Sequence, residues 1–261
     1  MMSMIRSSSW IRDCVDAGQP LNDVLIIDGL TSVHLPFLKV MDRLGVDKAC
    51  VQGSPDVILP VIQEYPDRFI GMCRVDPNYP DEVLPTLERS FNGGMLAIKL
   101  HPAAHTEYYP IDGPNYRPVF EFAAAHQAPI IIHSGPRTEV DLRLNRPYLI
   151  AAVAQWYPNV NFIVSHCGAY DAKETWEAMD EAIEVTNANS NIYLNFNTLG
   201  RYYGVLEYLV QNVGVDRILF GSDEPQHSLL AEVGHVAYAK ISDSDKEQIF
   251  GLNMARLLNM E

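Results

Sequence analysis

Short apolar runs alternate with helical patterns along nearly the whole chain, and this alternation limits the fold more than any other feature. The eight predicted strands are Val24–Asp28, Lys48–Gln52, Phe69–Val75, Met95–Leu100, Pro129–His133, Asn161–Ser165, Asn191–Asn195 and Arg217–Gly221. The predicted helices are Leu35–Leu44, Asp56–Glu64, Asp81–Phe91, Tyr116–His126, Pro147–Tyr157, Asp171–Val185, Gly204–Asn212 and Gln226–Tyr238. Runs this short and rich in Ile, Val and Phe are typical of buried parallel strands. The alternation predicts an α/β fold, a single (β/α)8 TIM barrel.

The alternative is a doubly wound open sheet, which more often has a glycine fingerprint after its first strand. The segment Asp28-Gly29-Leu30-Thr31-Ser32 contains no GxGxxG, which disfavours that fold. No repeat, linker or second domain is visible. We therefore predict an N-terminal extension over residues 1–23 and the barrel over residues 24–261.

A last helix is predicted after Ser242. Either Ser242 or Ser244 can cap it, and Ser244 has Glu247 at capping-box spacing. The apolar positions Ile249, Leu252, Ala255 and Leu258 suit a helix packed outside the barrel.

The charge of the chain limits its partners. The sequence has 33 acidic and 19 basic residues, for a formal charge of −14. Such a surface repels nucleic acid phosphates and anionic lipid, so we expect neither as a partner. A small anionic substrate is still allowed where local Arg and Lys side chains overcome this field.

No apolar run is long enough to span a bilayer, and residues 1–13 lack the apolar core of a signal peptide. The four cysteines have no CxxC spacing, so we expect reduced thiols in a cytoplasmic protein.

Three predicted strands lead into side chains that can bind a metal. His133 ends the fifth strand, His166 follows the sixth, and Asp223 follows the eighth. A barrel gathers its active-site groups at the carboxyl ends of its strands. A lone His at a strand end is usually a hydrogen-bonded structural residue, but two imidazoles and a carboxylate at one end have the composition of a metal site.

Four further residues are candidates for substrate binding. Lys99 and His101 share one face of the fourth strand, since Leu100 lies between them. A lysine inside a barrel must meet a carboxylate, a substrate anion or a metal-bridging group, and the alternative is a structural ion pair. Arg137 and Arg201 follow the fifth and seventh strands. Either could bind a substrate carboxylate, and a surface salt bridge is the alternative.

Four motifs together resemble the amidohydrolase superfamily. They are Ile98-Lys99-Leu100-His101-Pro102, Pro129-Ile130-Ile131-Ile132-His133-Ser134-Gly135, Ser165-His166-Cys167-Gly168 and Leu219-Phe220-Gly221-Ser222-Asp223. The resemblance is to the branch that includes aminocarboxymuconate-semialdehyde decarboxylase and related aromatic-acid decarboxylases. It covers Val24 to Met260.

The resemblance implies metal-binding roles for His133 and Asp223, with His166 as a further ligand or an acid–base group. A metal-bound water becomes a nucleophile near neutral pH, and Asp223 or His166 could move its proton. The implied cofactor is a divalent metal, with zinc expected first and manganese or iron as alternatives. A protein without metal is the remaining alternative.

The chain departs from the family pattern in its first strand, which normally ends Asp-x-His-x-His. Leu30 and Ser32 occupy the two histidine positions. Losing two imidazoles weakens metal capture, because each contributes directly to coordination. His34 lies two residues further on, and we expect it to begin the next helix rather than to replace a ligand.

Three functions are open. The first is a metal-dependent hydrolase or decarboxylase of a small carboxylated substrate. The second is a metal-independent hydrolase of lactonase or esterase type that uses His166, Asp223, Lys99 and Arg137. The third is a non-catalytic subunit paired with a related chain. We predict an enzyme, as a homo-oligomer or with a related subunit; the fold does not choose the bond.

Overall fold

Eight parallel strands form one sheet in chain order. The computed structural model describes residues 9–34, 37–135, 141–170, 175–200 and 202–260. The strands are β1 Ile27–Thr31, β2 Lys48–Gly53, β3 Phe69–Arg74, β4 Ala97–Leu100, β5 Ile130–Ile132, β6 Phe162–Ser165, β7 Ile192–Asn195 and β8 Ile218–Leu219. The Gly29 N–H donates to the Phe220 carbonyl (3.1 Å), and the Asp223 N–H donates to the Leu30 carbonyl (2.8 Å). These bonds join β1 to the chain after β8, so the predicted TIM barrel is confirmed.

Helices surround this barrel. They are α1 Trp10–Asp16, α2 Phe37–Leu44, α3 Pro55–Glu64, α4 Pro80–Asn92, α5 Arg117–His126, α6 Asp141–Leu144, α7 Pro147–Trp156, α8 Thr175–Ala188, α9 Val205–Val213, α10 Leu229–Tyr238, α11 Asp243–Glu247 and α12 Asn253–Leu257. In the described parts of the chain, no helix has the length and apolarity to cross a membrane.

Strand alternation separates two apolar clusters. Ile98, Leu100 and Ile130 pack in the outer cluster with the helices, whereas Ala97 and Ile131 belong to the cluster inside the barrel. Lys99 lies between Ile98 and Leu100 and therefore faces inward, as its position in the sequence predicts.

The first strand lies later in the sequence than predicted. The apolar run Val24–Ile27 indicated a strand over Val24–Asp28, but β1 continues to Thr31. The polar residues are tolerated in this buried strand because they are bonded: the Thr31 hydroxyl donates to the Glu224 carbonyl at 3.0 Å. Gly29 allows the closure, since a Cβ there would lie 2.7 Å from the Phe220 carbonyl oxygen.

The C-terminal segment packs against the start of the barrel. Ser242, not Ser244, caps α11: its hydroxyl accepts from the Asp245 N–H (3.1 Å), and the Asp245 carboxylate accepts from the Ser242 N–H (3.3 Å). Ser242 has the extended backbone that a cap requires, whereas Ser244 is already helical. Beyond α11, Met254 and Leu257 join the interior cluster.

Residues before the barrel contact this same segment. The Ser9 hydroxyl and the Trp10 N–H both donate to the Asp243 carboxylate. The buried Lys246 ammonium donates to the Ser9 hydroxyl at 2.7 Å. The boundary between an extension and the barrel at residue 23 stays a prediction.

Candidate active site

A buried ammonium and a carboxyl group both lie at the barrel mouth, the end where the strands terminate, and each influences the pKa of the other. Lys99 is 2% exposed, and its ammonium donates to the Ser165 hydroxyl at 3.2 Å. Burial lowers the pKa of Lys99, an effect that the charge of Asp223 opposes. Burial raises the pKa of Asp223, and here the charge of Lys99 acts in the opposite direction. Burial therefore disfavours the charged form of each group, and the charge of the other group only partly offsets this effect.

Three imidazoles lie against one another beside this pair. His166 Nε2 is 3.1 Å from His133 Nδ1, and the His101 ring stacks on the His133 ring with centroids 3.8 Å apart. Burial lowers the pKa of His101 to about 3 and that of His166 well below its usual value, in both cases with help from Lys99. Both rings are therefore neutral at physiological pH. The Tyr170 ring packs against two of them, with centroids 4.9 Å from the His133 ring and 4.5 Å from the His166 ring.

Five of the seven site residues predicted from the sequence lie at this mouth, and the other two lie outside the described residues. Lys99, His101, His133, His166 and Asp223 contact or electrostatically influence one another. Arg137 and Arg201 lie outside the described residues. Every catalytic or binding role assigned to these residues stays a prediction.

His34 does not join the cluster. Its Nε2 lies 3.5 Å from a Glu224 carboxylate oxygen, and its Nδ1 lies 3.2 Å from the Ser32 carbonyl oxygen. The ring also packs beside Phe37, at the start of α2.

The backbone is unusual at two of these positions. His166 (φ 59°) and Asp223 (φ 60°) are both in the left-handed region, which residues other than glycine seldom adopt. The His166 N–H donates to the Asn197 side-chain oxygen at 3.0 Å, and the Asp223 N–H is bonded to β1. Such conformations persist only where the surroundings fix them, and they are concentrated at active sites.

Asp28 is bonded to Ser222, the residue before Asp223, and sequence reasoning missed its part in the site. It is fully buried and accepts hydrogen bonds from the N–H groups of Leu30 (3.2 Å) and Ser222 (2.8 Å) and from the Ser222 hydroxyl. Burial raises its pKa to about 7. Asp28 thus ties β1 to the residue before Asp223. The signal was available, since Asp28 is the retained first position of the family's first-strand motif.

Asp28 should make stability depend on pH. Between the unfolded value of 3.8 and about 7, the folded protein binds a proton that the unfolded chain does not. The free energy of unfolding should therefore fall as pH rises, by roughly 3 kcal/mol between about pH 5 and about pH 8. Urea unfolding of the wild type and of Asp28→Asn at both pH values measures this difference. An equal pH dependence in the two proteins would show that Asp28 is not its source.

Arg74 is a second residue that sequence reasoning missed. It ends β3 and pairs in register with Lys99. Its side chain is exposed, and its charge lowers the pKa of both Lys99 and His101, so it acts on the same mouth. Among the described residues its guanidinium has no ion pair within 4.0 Å. Strand alternation is the signal that identified Lys99, and it applies equally to Arg74, which shares the inward face of β3 with Met72.

The described side chains do not form a complete metal site. No group of three or more His, Cys, Asp or Glu side chains among them is arranged to hold a metal ion. His133 and His166 bring two nitrogens within 3.1 Å, a separation that two ligands of one cation could have. The charge of the Lys99 ammonium acts on Asp223 and lowers the pKa of that carboxyl. The described side chains therefore fall short of the three-ligand site expected from the sequence, and the ligand roles of His133, His166 and Asp223 stay a prediction.

Comparison with known proteins agrees with this architecture. An uncharacterized TIM-barrel protein from Bordetella bronchiseptica is 18% identical, with a TM-score of 0.79 over 90% of this chain and 99% of that one. 2,6-Dihydroxybenzoate decarboxylase from Rhizobium is 16% identical, with a TM-score of 0.74 over 90% and 99%. 5-Carboxyvanillate decarboxylase from Novosphingobium aromaticivorans, complexed with manganese and a nitrobenzoic acid, is 19% identical, with a TM-score of 0.70 over 87% and 80%. At these identities the likeness establishes the fold.

The family follows from the sequence itself. Curated protein sequences gave no significant match. Residues 35–260 match the amidohydrolase family model, which is most of the chain. The chain therefore belongs to the amidohydrolase family of enzymes.

Proposed function

We propose that the protein is a decarboxylase of a small aromatic carboxylate, with Lys99 and Arg74 rather than a metal ion as the positive charges of the site. One observation carries the proposal: the buried Lys99 ammonium, bonded to Ser165, shares the barrel mouth with the His133–His166 pair and with the Asp223 carboxyl, whose pKa is raised by burial. This combination supplies a proton donor and an anion-binding group at one place.

Decarboxylation needs both groups. When the bond between the ring carbon and the carboxylate breaks, carbon dioxide leaves and the electron pair stays on the carbon, which must then take a proton. A carboxyl group with a raised pKa keeps its proton closer to neutral pH and can donate it. A substrate carboxylate held by Lys99 adds a negative charge near Asp223 and raises that pKa further. Asp223 then regains its proton from water.

The mouth also suits a planar acid. His101, His133 and Tyr170 present ring faces and edges against which an aromatic ring can pack. Arg74 offers a fork that matches a carboxylate. These local cations offset the acidic surface of the whole chain, whose net charge is −14. Hydroxylated benzoates, which the solved decarboxylases named above act on, have this shape and charge.

The experiment is an assay of carbon dioxide release. The purified protein is incubated separately with 2,6-dihydroxybenzoate, 5-carboxyvanillate, methyl 2,6-dihydroxybenzoate and a simple aromatic lactone. We expect carbon dioxide from at least one of the free acids and no reaction with the ester or the lactone. Cleavage of the ester or lactone without carbon dioxide release from either acid would instead identify a hydrolase.

A metal-dependent form of the same reaction is the second candidate. It is supported by the 3.1 Å approach of His166 Nε2 to His133 Nδ1 and by the manganese in the 5-carboxyvanillate decarboxylase complex. Zinc is the metal that the sequence resemblance implies. This candidate requires a third ligand near the two imidazoles. The two candidates share a substrate class and differ in the metal content of the active protein.

A further inference from the structure

We infer that Thr198 and Glu232 position the His166 ring, so that His166 Nδ1 carries the proton and Nε2 is the accepting nitrogen that faces His133. Thr198 follows β7, and its hydroxyl oxygen lies 3.3 Å from His166 Nδ1. The only other ring contact at hydrogen-bond distance among the described residues is between Nε2 and His133. The two nitrogens of His166 therefore have different partners on opposite sides.

Thr198 is held in a conformation that it would not adopt alone. Its φ is +72°, in the left-handed region, which is a true outlier for a β-branched residue. This conformation directs its N–H toward α10, where Glu232 Oε1 accepts it at 3.2 Å. Backbone strain of this kind persists only where neighbouring groups fix it. The Glu232 carboxylate is the group that does so here.

Glu232 holds Thr198 from a buried position, which is unfavourable for a carboxylate. It is 3% exposed, and the loop after β7 approaches it so closely that a Cβ at Gly200 would lie 3.0 Å from Oε2. His235, one turn along α10, has Nδ1 3.7 Å from Oε2. Burying a carboxylate is unfavourable unless it is paired and bonded. The Glu232 carboxylate accepts the Thr198 N–H, so the position of α10 helps to fix the His166 ring through Thr198.

The chemical consequence is a fixed ring state. When the Thr198 hydroxyl accepts the Nδ1 proton, Nε2 is left as the accepting nitrogen of the ring, here toward His133, as usually happens when an outer partner orients a histidine. The effect on turnover rests on the proposed function, in which His166 is an acid–base residue. The ring state itself does not, so it can be measured without a substrate.

The test uses nitrogen-15 NMR of histidine-labelled protein, in which the coupling pattern shows which ring nitrogen carries the proton. The His166 signals are assigned with His166→Asn. We expect the Nδ1-protonated form in the wild type and in Thr198→Ser, which keeps the hydroxyl. In Thr198→Val, which keeps the shape and loses the hydroxyl, the preference should fall roughly 3- to 10-fold, the factor that one neutral hydrogen bond supplies.

Glu232 is tested in the same way. Glu232→Gln keeps an oxygen that can accept the Thr198 N–H and should preserve the ring state, whereas Glu232→Leu should shift it as Thr198→Val does. A wild type with the proton on Nε2, or an unchanged preference in Thr198→Val, would overturn the inference. The wild-type spectrum decides even if a variant fails to fold. If Thr198→Val shifts the ring state but the wild-type protein releases no carbon dioxide, the proposed function is wrong and the positioning role of Thr198 stands.

Discussion

Replacing Asp223 with Asn is expected to lower kcat for carbon dioxide release by about 10²- to 10⁴-fold, the range that a positioned general acid contributes. The amide has nearly the shape of the carboxyl group but cannot donate a proton in this way. Substrate binding should change less, because the cations Lys99 and Arg74 remain. A larger change in KM than in kcat would contradict the proton-donor role.

The matched control is Asp216→Asn. Asp216 is an exposed carboxylate in the turn just before β8, outside the mouth. Its replacement makes the same chemical change in the same region of the chain, and kcat should be unchanged. Equal losses in the two variants would indicate a general effect of charge instead of chemistry at Asp223.

Replacing Lys99 with Met is expected to reduce kcat/KM by about 10²- to 10³-fold, because a substrate carboxylate in a poorly solvated site then lacks its principal cation. Thermal stability should be unchanged or higher, because Met fills a similar volume without the cost of burying an ammonium. Carbon dioxide assays and thermal unfolding measure the two effects. A large loss of stability would indicate that Lys99 is a structural ion-pair residue.

Lys99→Arg separates charge from geometry. The guanidinium keeps the charge but is larger and forked, and it replaces a compact ammonium bonded to Ser165. We expect partial activity, above that of Lys99→Met and below that of the wild type. Activity in Lys99→Arg no higher than in Lys99→Met would show that size, not charge, is what the site requires.

The part of the site predicted from the sequence is the part that barrel geometry dictates. His133 and His166 end strands that are neighbours in the sheet, so their convergence follows from strand order alone. Lys99 faces inward because strand alternation requires it. These predictions needed only the period of the apolar pattern and the position of each strand end.

The residues that escaped prediction depend on tertiary contacts. The first strand was predicted too early in the sequence, because the polar residues Asp28 and Thr31 are typical of a strand end. In the fold they are buried and bonded to Ser222 and Glu224. The link between Thr198 and Glu232 joins the loop after β7 to α10 across 34 residues, and no local pattern indicates it. Sequence periodicity finds faces and ends of elements, not the contacts between a loop and a later helix.

In the proposed site the buried Lys99 ammonium, rather than a metal ion, supplies the positive charge that acts on Asp223. This role is tested most directly by elemental analysis together with carbon dioxide assays, on protein grown with added manganese and zinc, before and after dialysis against a strong chelator. The account predicts a metal content far below one ion per chain and an unchanged kcat/KM after dialysis. One tightly bound manganese or zinc per chain, with activity lost on its removal and restored on its return, would contradict it.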